Sequence, residues 1–177
     1  MCWPLRAGSE TLRGFPHLNT MHRSSLPALV LVWGLSLARP VAAADDLRLA
    51  PGLSFIDDSS SNFPIEGNHL GDGDVSPGRA AIVFFGAAHC WNTNREAERL
   101  VALYPRFRGR VHFVVVDVNN PSEAQRSLLT AHYHGSIPTI VVFAPSGAVL
   151  YEGAGETAST RGDTHALEAL LTRAVND

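Results

Sequence analysis

The stretch AIVFFGAAHCWNT, residues 81–93, predicts a strand, a tight turn and the start of a helix. Residues 81–85 form a short apolar run with β-branched and aromatic members, as expected for a strand buried on both faces. Gly86 allows the turn, and apolar residues then recur at helical spacing from Asn92 to Tyr104. Cys90 is therefore predicted to lie at or just before a helix N-terminus. Unpaired N–H groups and the helix dipole favour thiolate over thiol there, which indicates a nucleophilic cysteine.

The pattern on both sides of this stretch predicts an α/β domain in the order βαβαββα from residue 79 onward. The further predicted elements are a strand at Val111–Val118, a helix capped by Asn120 and ending near Tyr133, strands at Thr139–Phe143 and Val149–Glu152, and a last helix capped by Asp163. A right-handed crossover makes the first two strands parallel, and the turn at 144–148 predicts a hairpin that adds two antiparallel strands. The expected result is a central mixed sheet flanked by helices.

A second motif lies 48 residues after Cys90, where Ile137-Pro138-Thr139 opens a predicted strand. Together with residues 81–93 it resembles the thioredoxin superfamily, whose members carry a cysteine after the first central strand and a cis-proline in an I-P-T or V-P-T tripeptide before the next one. The resemblance covers roughly residues 79 to 175. It implies a thioredoxin-like fold, a cis peptide bond at Ile137–Pro138, and a position for Pro138 at the end of the sheet that carries Cys90.

The chain departs from that family in its dithiol motif. The family motif is C-x-x-C, whereas this sequence has Cys90-Trp91-Asn92-Thr93. The family's buried aspartate, six residues before the nucleophile, is replaced by Phe84. Because the second cysteine and the aspartate both serve the resolving step, the resemblance implies that only the first step, attack on a client disulfide, is retained.

The predicted site has three catalytic residues, Cys90, Thr93 and Pro138, and three substrate-binding residues, Trp91, Ile137 and His89. Thr93 is placed one helical turn after Cys90, within hydrogen-bond reach of its sulfur. The Ile137 backbone beside Pro138 would pair with an extended client. His89 either raises Cys90 reactivity when charged or is simply solvated.

Three other polar side chains near this site are predicted to have mainly structural roles. Arg95 and Arg99 are expected on an exposed helix face. His134, at a position that is usually aliphatic in the family, is expected to be a hydrogen-bonded core histidine.

Three functions are compatible with these residues. The first is a monothiol thioredoxin-like protein that forms mixed disulfides with client cysteines or small thiols such as glutathione, with no cofactor and no metal. The second is a redox-inert binding module that uses the groove around Pro138. The third is a copper or zinc site formed by Cys90, His89 and His134, although this spacing matches no strong metal motif.

The amino-acid composition argues against a nucleic-acid-binding protein and against a disulfide-stabilised fold. The chain has 14 basic residues, all arginine, and 17 acidic residues, and the basic residues form no cluster, so no nucleic-acid partner is expected. The two cysteines are Cys2 and Cys90. With Cys2 in a segment expected to be removed, Cys90 has no framework disulfide partner.

The chain is predicted to divide into four parts. Residues 1–20 are a disordered or untranslated extension, and 21–44 are a signal peptide that starts at Met21 and ends in small residues. Residues 45–78 are mostly loop, with one short edge strand near residues 53–56, and residues 79–177 are the thioredoxin-like domain. The apolar run at 26–38 is shorter than the roughly 20 residues that span a bilayer, so export to the periplasm or medium is expected without a stable membrane anchor.

Overall fold

The structure, a computed structural model, describes residues 46–67 and 70–177. The predicted extension at 1–20 and the predicted signal peptide at 21–44 lie outside the described residues.

The described residues form six strands, three α-helices and one 3₁₀ turn. In chain order they are β1 (Arg48–Leu49), β2 (Ile65–Glu66), β3 (Ala80–Gly86), α1 (Trp91–Phe107), β4 (Val111–Asp117), the 3₁₀ turn (Glu123–Gln125), α2 (Arg126–His132), β5 (Thr139–Phe143), β6 (Val149–Ala154) and α3 (His165–Asn176). From β3 onward, this order confirms the predicted βαβαββα arrangement.

The main sheet has the strand order β4-β3-β5-β6. β3 pairs in parallel with β4, and Phe85 lies opposite Val116. β3 pairs in antiparallel with β5, and Phe85 lies opposite Thr139 on that side. Because β5 begins where β3 ends, the residues just before Thr139 and just after Gly86 lie at the same end of the sheet. The sheet is mixed and flanked by helices, as predicted.

Both faces of the sheet are covered by apolar side chains, which explains why every residue of β3 is buried. Alternate residues of a strand point to opposite faces. Ile82 and Phe84 pack with residues of α1 and α3, whereas Val83 and Phe85 pack with Leu128 of α2. The continuous apolar run in the sequence is the consequence of this two-sided burial.

The predicted edge strand near residues 53–56 is wrong. The segment before β3 instead pairs Arg48 with Glu66 and Leu49 with Ile65 in the small β1–β2 sheet. Residues 53–56 lie in an irregular loop with a bend, in which the Ser54 hydroxyl accepts the N–H of Asp57 at 3.2 Å and so satisfies the backbone locally.

The predicted start of the second helix is also wrong. Asn120 lies in a turn, and the 3₁₀ turn that leads into α2 begins after Ser122. Ser122 and Gln125 form a reciprocal capping box, and Gln125 also donates to the Val115 carbonyl at 2.8 Å. This tertiary bond to β4 fixes where the turn begins.

The two other helices differ slightly from their predicted limits. α1 continues past Tyr104 to Phe107 and contains Pro105. The N-cap of α3 is Thr164 rather than Asp163, although Asp163 Oδ1 accepts the N–H of His165 at 2.8 Å.

Candidate functional site

Cys90 lies at the end of the sheet where β3 turns into α1. It is the N-cap residue of α1, with extended backbone (φ −140°, ψ 105°), and its carbonyl accepts the Asn94 N–H at 3.1 Å. Its side chain is half-buried and is not part of a disulfide. The preceding residue, His89, is exposed and has a positive φ of 56°. The backbone therefore places the thiol at the first turn of the helix, as the sequence predicts.

A close contact beneath Cys90 explains Gly86. A Cβ atom on Gly86 would clash with Thr93 Cγ2 and would lie 3.0 Å from Phe84 Cζ, so a larger residue would displace both side chains. Thr93 is completely buried, and its hydroxyl accepts the Ala87 N–H at 3.4 Å. This bond is directed to the turn rather than to the sulfur, and it ties the start of α1 to the end of β3.

Phe84, at the position where the resemblance to thioredoxins implies a buried aspartate, is a core residue. Its side chain is fully buried, and its ring centroid lies 6.4 Å from that of Phe63. No titratable group is available at this position, since a phenyl ring carries no proton to transfer.

Pro138 follows a cis peptide bond and is buried at the same end of the sheet. Its carbonyl accepts the Gly155 N–H at 3.0 Å, and the Thr139 hydroxyl donates to the Ser136 carbonyl at 2.6 Å. Ile137 is half-buried. The fold thus brings Cys90, Thr93 and the Ile137–Pro138 loop to one end of the sheet, while their catalytic roles remain predictions.

Trp91 has partners on two sides. The guanidinium of Arg161 lies over its ring, 4.7 Å from the centroid, and its backbone N–H donates to Asp58 Oδ1 at 2.6 Å. Arg161 comes from the loop before α3, and Asp58 from the loop between β1 and β2. Sequence analysis missed both residues, because each is more than 30 positions away and no local pattern connects it to Trp91.

The expectation that Arg95 and Arg99 form an exposed helix face is wrong. Arg99 is buried and pairs with the buried Glu96 at 2.7 Å. Arg95 is largely buried and pairs with Glu156 at 3.0 Å. Both arginines face the loop after β6, which carries a carboxylate toward α1.

Glu96 connects this ion-pair cluster to the Pro138 loop. Its carboxylate accepts the backbone N–H of Glu156, and a Cβ on Gly155 would lie only 2.9 Å from that carboxylate. Gly155 in turn donates to the Pro138 carbonyl. Burial raises the pKa of Glu96, while Arg99 and the Glu156 N–H act in the opposite direction. A charged residue that the sequence analysis left out therefore supports the cis-proline loop.

The prediction of His134 as a core histidine is wrong, because its side chain is 71% exposed. Its Nε2 lies 2.8 Å from Glu152 Oε1, and His132 Nδ1 lies 2.8 Å from Glu152 Oε2. Hydrogen bonds from His132 and His134 lower the pKa of Glu152. His134 lies on the outside because it precedes the strand β5 in an exposed loop.

The described residues contain no group of side chains that fits the copper or zinc hypothesis. Among residues 46–67 and 70–177, no three His, Cys, Asp or Glu side chains are grouped so that they could hold a metal ion. In the same part of the chain, no helix is both long and apolar enough to cross a membrane.

Comparison with known proteins gives matches among solved structures alone. No family profile and no curated protein sequence matches this chain. Thioredoxin from Trypanosoma brucei brucei is 20% identical with a TM-score of 0.45, over 58% of this chain and 80% of its own. A mutant thioredoxin from Halobacterium salinarum is 21% identical with a TM-score of 0.43, over 54% and 74%. Fasciola hepatica thioredoxin is 25% identical with a TM-score of 0.40, over 55% and 82%.

Four features define the fold class of this domain. They are the strand order, the parallel β3–β4 crossover, the antiparallel β5–β6 hairpin and the proline loop beside the start of α1. From β3 to α3, the described chain has a thioredoxin-like fold. Within it, the C-x-x-T motif at residues 90–93 leaves one cysteine at the helix start.

Proposed function

We propose that this protein is an exported, monothiol thioredoxin-like protein that forms mixed disulfides with client proteins or small disulfides. The observation that carries the proposal is a half-buried Cys90 at the N-cap of α1, at the same end of the sheet as the Ile137–Pro138 loop. Reactive cysteines commonly lie at helix N-termini, and the loop offers backbone for an extended client.

The chemistry is a single thiol–disulfide exchange. The Cys90 thiolate attacks one sulfur of a client disulfide, a new disulfide joins Cys90 to that sulfur, and the other client sulfur leaves as a thiolate. The client disulfide supplies the oxidising equivalents. Thr93 cannot complete the cycle, because a hydroxyl cannot displace the sulfur. An external thiol must release the client, which suits exchange, isomerisation or client retention rather than net dithiol reduction.

The test uses oxidised glutathione as the probe, in a Cys2→Ser background so that Cys90 is the only thiol. The protein is expected to accumulate one glutathionyl group per chain, to react faster than a cysteine peptide, and to keep the adduct until a reducing thiol is added. Metal chelation should leave the rate unchanged. Cys90→Ser should abolish the adduct, and His89→Ala should slow its formation modestly. Mass spectrometry of timed samples measures all of these.

A redox-inert binding module is the second candidate. It is favoured by the Asp58 carboxylate, which already occupies the Trp91 N–H at the helix start. If Cys90 reacts no faster than the cysteine peptide, the monothiol proposal fails and the binding module replaces it.

Export is tested separately from redox chemistry. We expect the exported chain to begin at Asp45, because residues 42–44 form a small-residue cleavage site after an apolar run. N-terminal sequencing of protein recovered outside the cytoplasm checks this. Recovery of the full-length chain in the membrane fraction would contradict it.

A further inference from the structure

A cavity of about 240 Å³ lies between α1, α3 and the loop that follows β6. Two of its lining residues, Thr157 and Ala166, are exposed, so a small molecule can reach it from solvent. Neither Cys90 nor Pro138 lines it. A ligand in this cavity would therefore bind independently of the chemistry proposed for Cys90.

The charged lining of the cavity is the buried ion pair of α1. Glu96 and Arg99 both line it, and they pair with each other at 2.7 Å. Arg99 Nε is buried and has no hydrogen-bond partner among the described residues. Buried donors are nearly always hydrogen-bonded, so this N–H calls for an acceptor from outside the chain.

Glu96 has acceptor capacity to spare. Its Oε2 accepts from Arg99 and from the Glu156 N–H. A carboxylate has roughly four sites that can accept a hydrogen bond, so these two donors do not saturate it. The ion pair thus presents an unused donor and unused acceptor capacity side by side, with no net charge.

The rest of the lining is largely apolar. Ile140 and Leu167 are buried and Leu170 is half-buried, so each leaves apolar surface that a ligand could cover. The volume is below the roughly 300–1,000 Å³ of pockets that hold drug-sized molecules. The lining therefore favours a small ligand with an apolar body.

We propose that this cavity binds a small uncharged molecule with an apolar body and a polar head that both accepts and donates hydrogen bonds, as a primary carboxamide does. The carbonyl oxygen of such a head accepts from Arg99, and its N–H donates to Glu96. A carboxylate head would be repelled by Glu96, and an ammonium head by Arg99. Because the ion pair is already neutral, an added buried charge would have no counter-charge of its own.

The experiment titrates the full-length chain with benzamide and follows its backbone amide resonances by NMR. Benzamide is expected to bind in the millimolar range, as suits so small a ligand, and to shift the resonances of Gly155 and Thr157 beside the cavity. Benzoate and benzylamine carry the same ring with a negative or a positive head. Each should bind at least roughly tenfold more weakly than benzamide.

Helix α3 offers a matched pair of substitutions. Ala166 and Ala169 are both exposed on this helix, but only Ala166 lines the cavity. Ala166→Trp should fill part of the cavity and weaken benzamide binding roughly tenfold or more, whereas Ala169→Trp should bind benzamide like the unmodified chain. Circular dichroism and the melting temperature establish that both variants are folded.

Benzoate or benzylamine binding as tightly as benzamide would overturn the choice of an uncharged ligand. The site itself is overturned if benzamide shifts no resonance near its solubility limit, since the cavity would then hold only water. It is equally overturned if Ala166→Trp binds benzamide normally, or if Ala169→Trp weakens binding to the same extent. Cys90 takes part in none of these measurements, so their failure leaves the proposed function standing.

Discussion

Thr93→Cys is expected to let the mixed disulfide that we propose for Cys90 resolve within the chain, and so to complete disulfide reduction. Thr93 is fully buried one helical turn after the half-buried Cys90, and a cysteine side chain is close to threonine in size. The introduced thiol would attack the mixed disulfide at the Cys90 sulfur, release the client thiolate and leave a disulfide between positions 90 and 93. An intramolecular thiol replaces an external one, so turnover with a reductase that recycles dithiols should rise on the order of tenfold or more.

The measurement is reduction of a protein disulfide coupled to such a reductase, with Thr93→Ser as the matched control. Thr93→Ser keeps the hydroxyl and adds no sulfur, so its activity should remain at the wild-type level. Phe84 limits the gain because it cannot take up a proton during resolution. If Thr93→Cys forms no internal disulfide under mild oxidation, positions 90 and 93 do not face each other as the proposal requires.

Arg99→Met is expected to lower the free energy of unfolding by about 3–5 kcal/mol, because it leaves the buried Glu96 carboxylate without its partner. The pair is separated by 2.7 Å, and both side chains are almost completely buried. The matched control is Arg106→Met in the same helix. Arg106 pairs with Glu168 but is 60% exposed, so its loss should cost less than about 1 kcal/mol. Urea unfolding measures both.

The double variant Glu96→Leu with Arg99→Met should be more stable than Arg99→Met alone, since no uncompensated carboxylate remains. Burial raises the pKa of Glu96 above its usual 4.5 in the folded protein. The stability that protonated Glu96 contributes to the fold is therefore fully present below about pH 4.5, and it is lost as pH rises through the folded-state pKa of Glu96. The double variant should lack this part of the pH dependence. Equal costs for Arg99→Met and Arg106→Met would show that the buried pair is not important to the fold.

The sequence by itself determined the domain architecture. The continuous apolar run in β3 indicated a strand buried on both faces, the run in β5 indicated a further strand, and the 3.6-residue spacing after Cys90 indicated the helix. These are local signals, since each depends on a few neighbouring side chains. They suffice for the order βαβαββα. The thioredoxin-like arrangement that this order resembles then implies that the end of β3 lies beside the start of β5. The sequence, read with this resemblance, therefore predicts that Cys90 and Pro138 belong to one site.

Only the tertiary structure decided what surrounds Cys90. Asp58 reaches the start of α1 from 33 residues away, and Arg161 covers Trp91 from the opposite direction along the chain. Arginine is usually a surface residue. Arg99 is nevertheless buried, because Glu96 supplies its counter-charge and the loop after β6 closes over both side chains. Ion pairs and caps between distant segments leave no periodic pattern in the sequence. Their existence depends on which loops the completed sheet brings together, and that is a property of the folded chain as a whole.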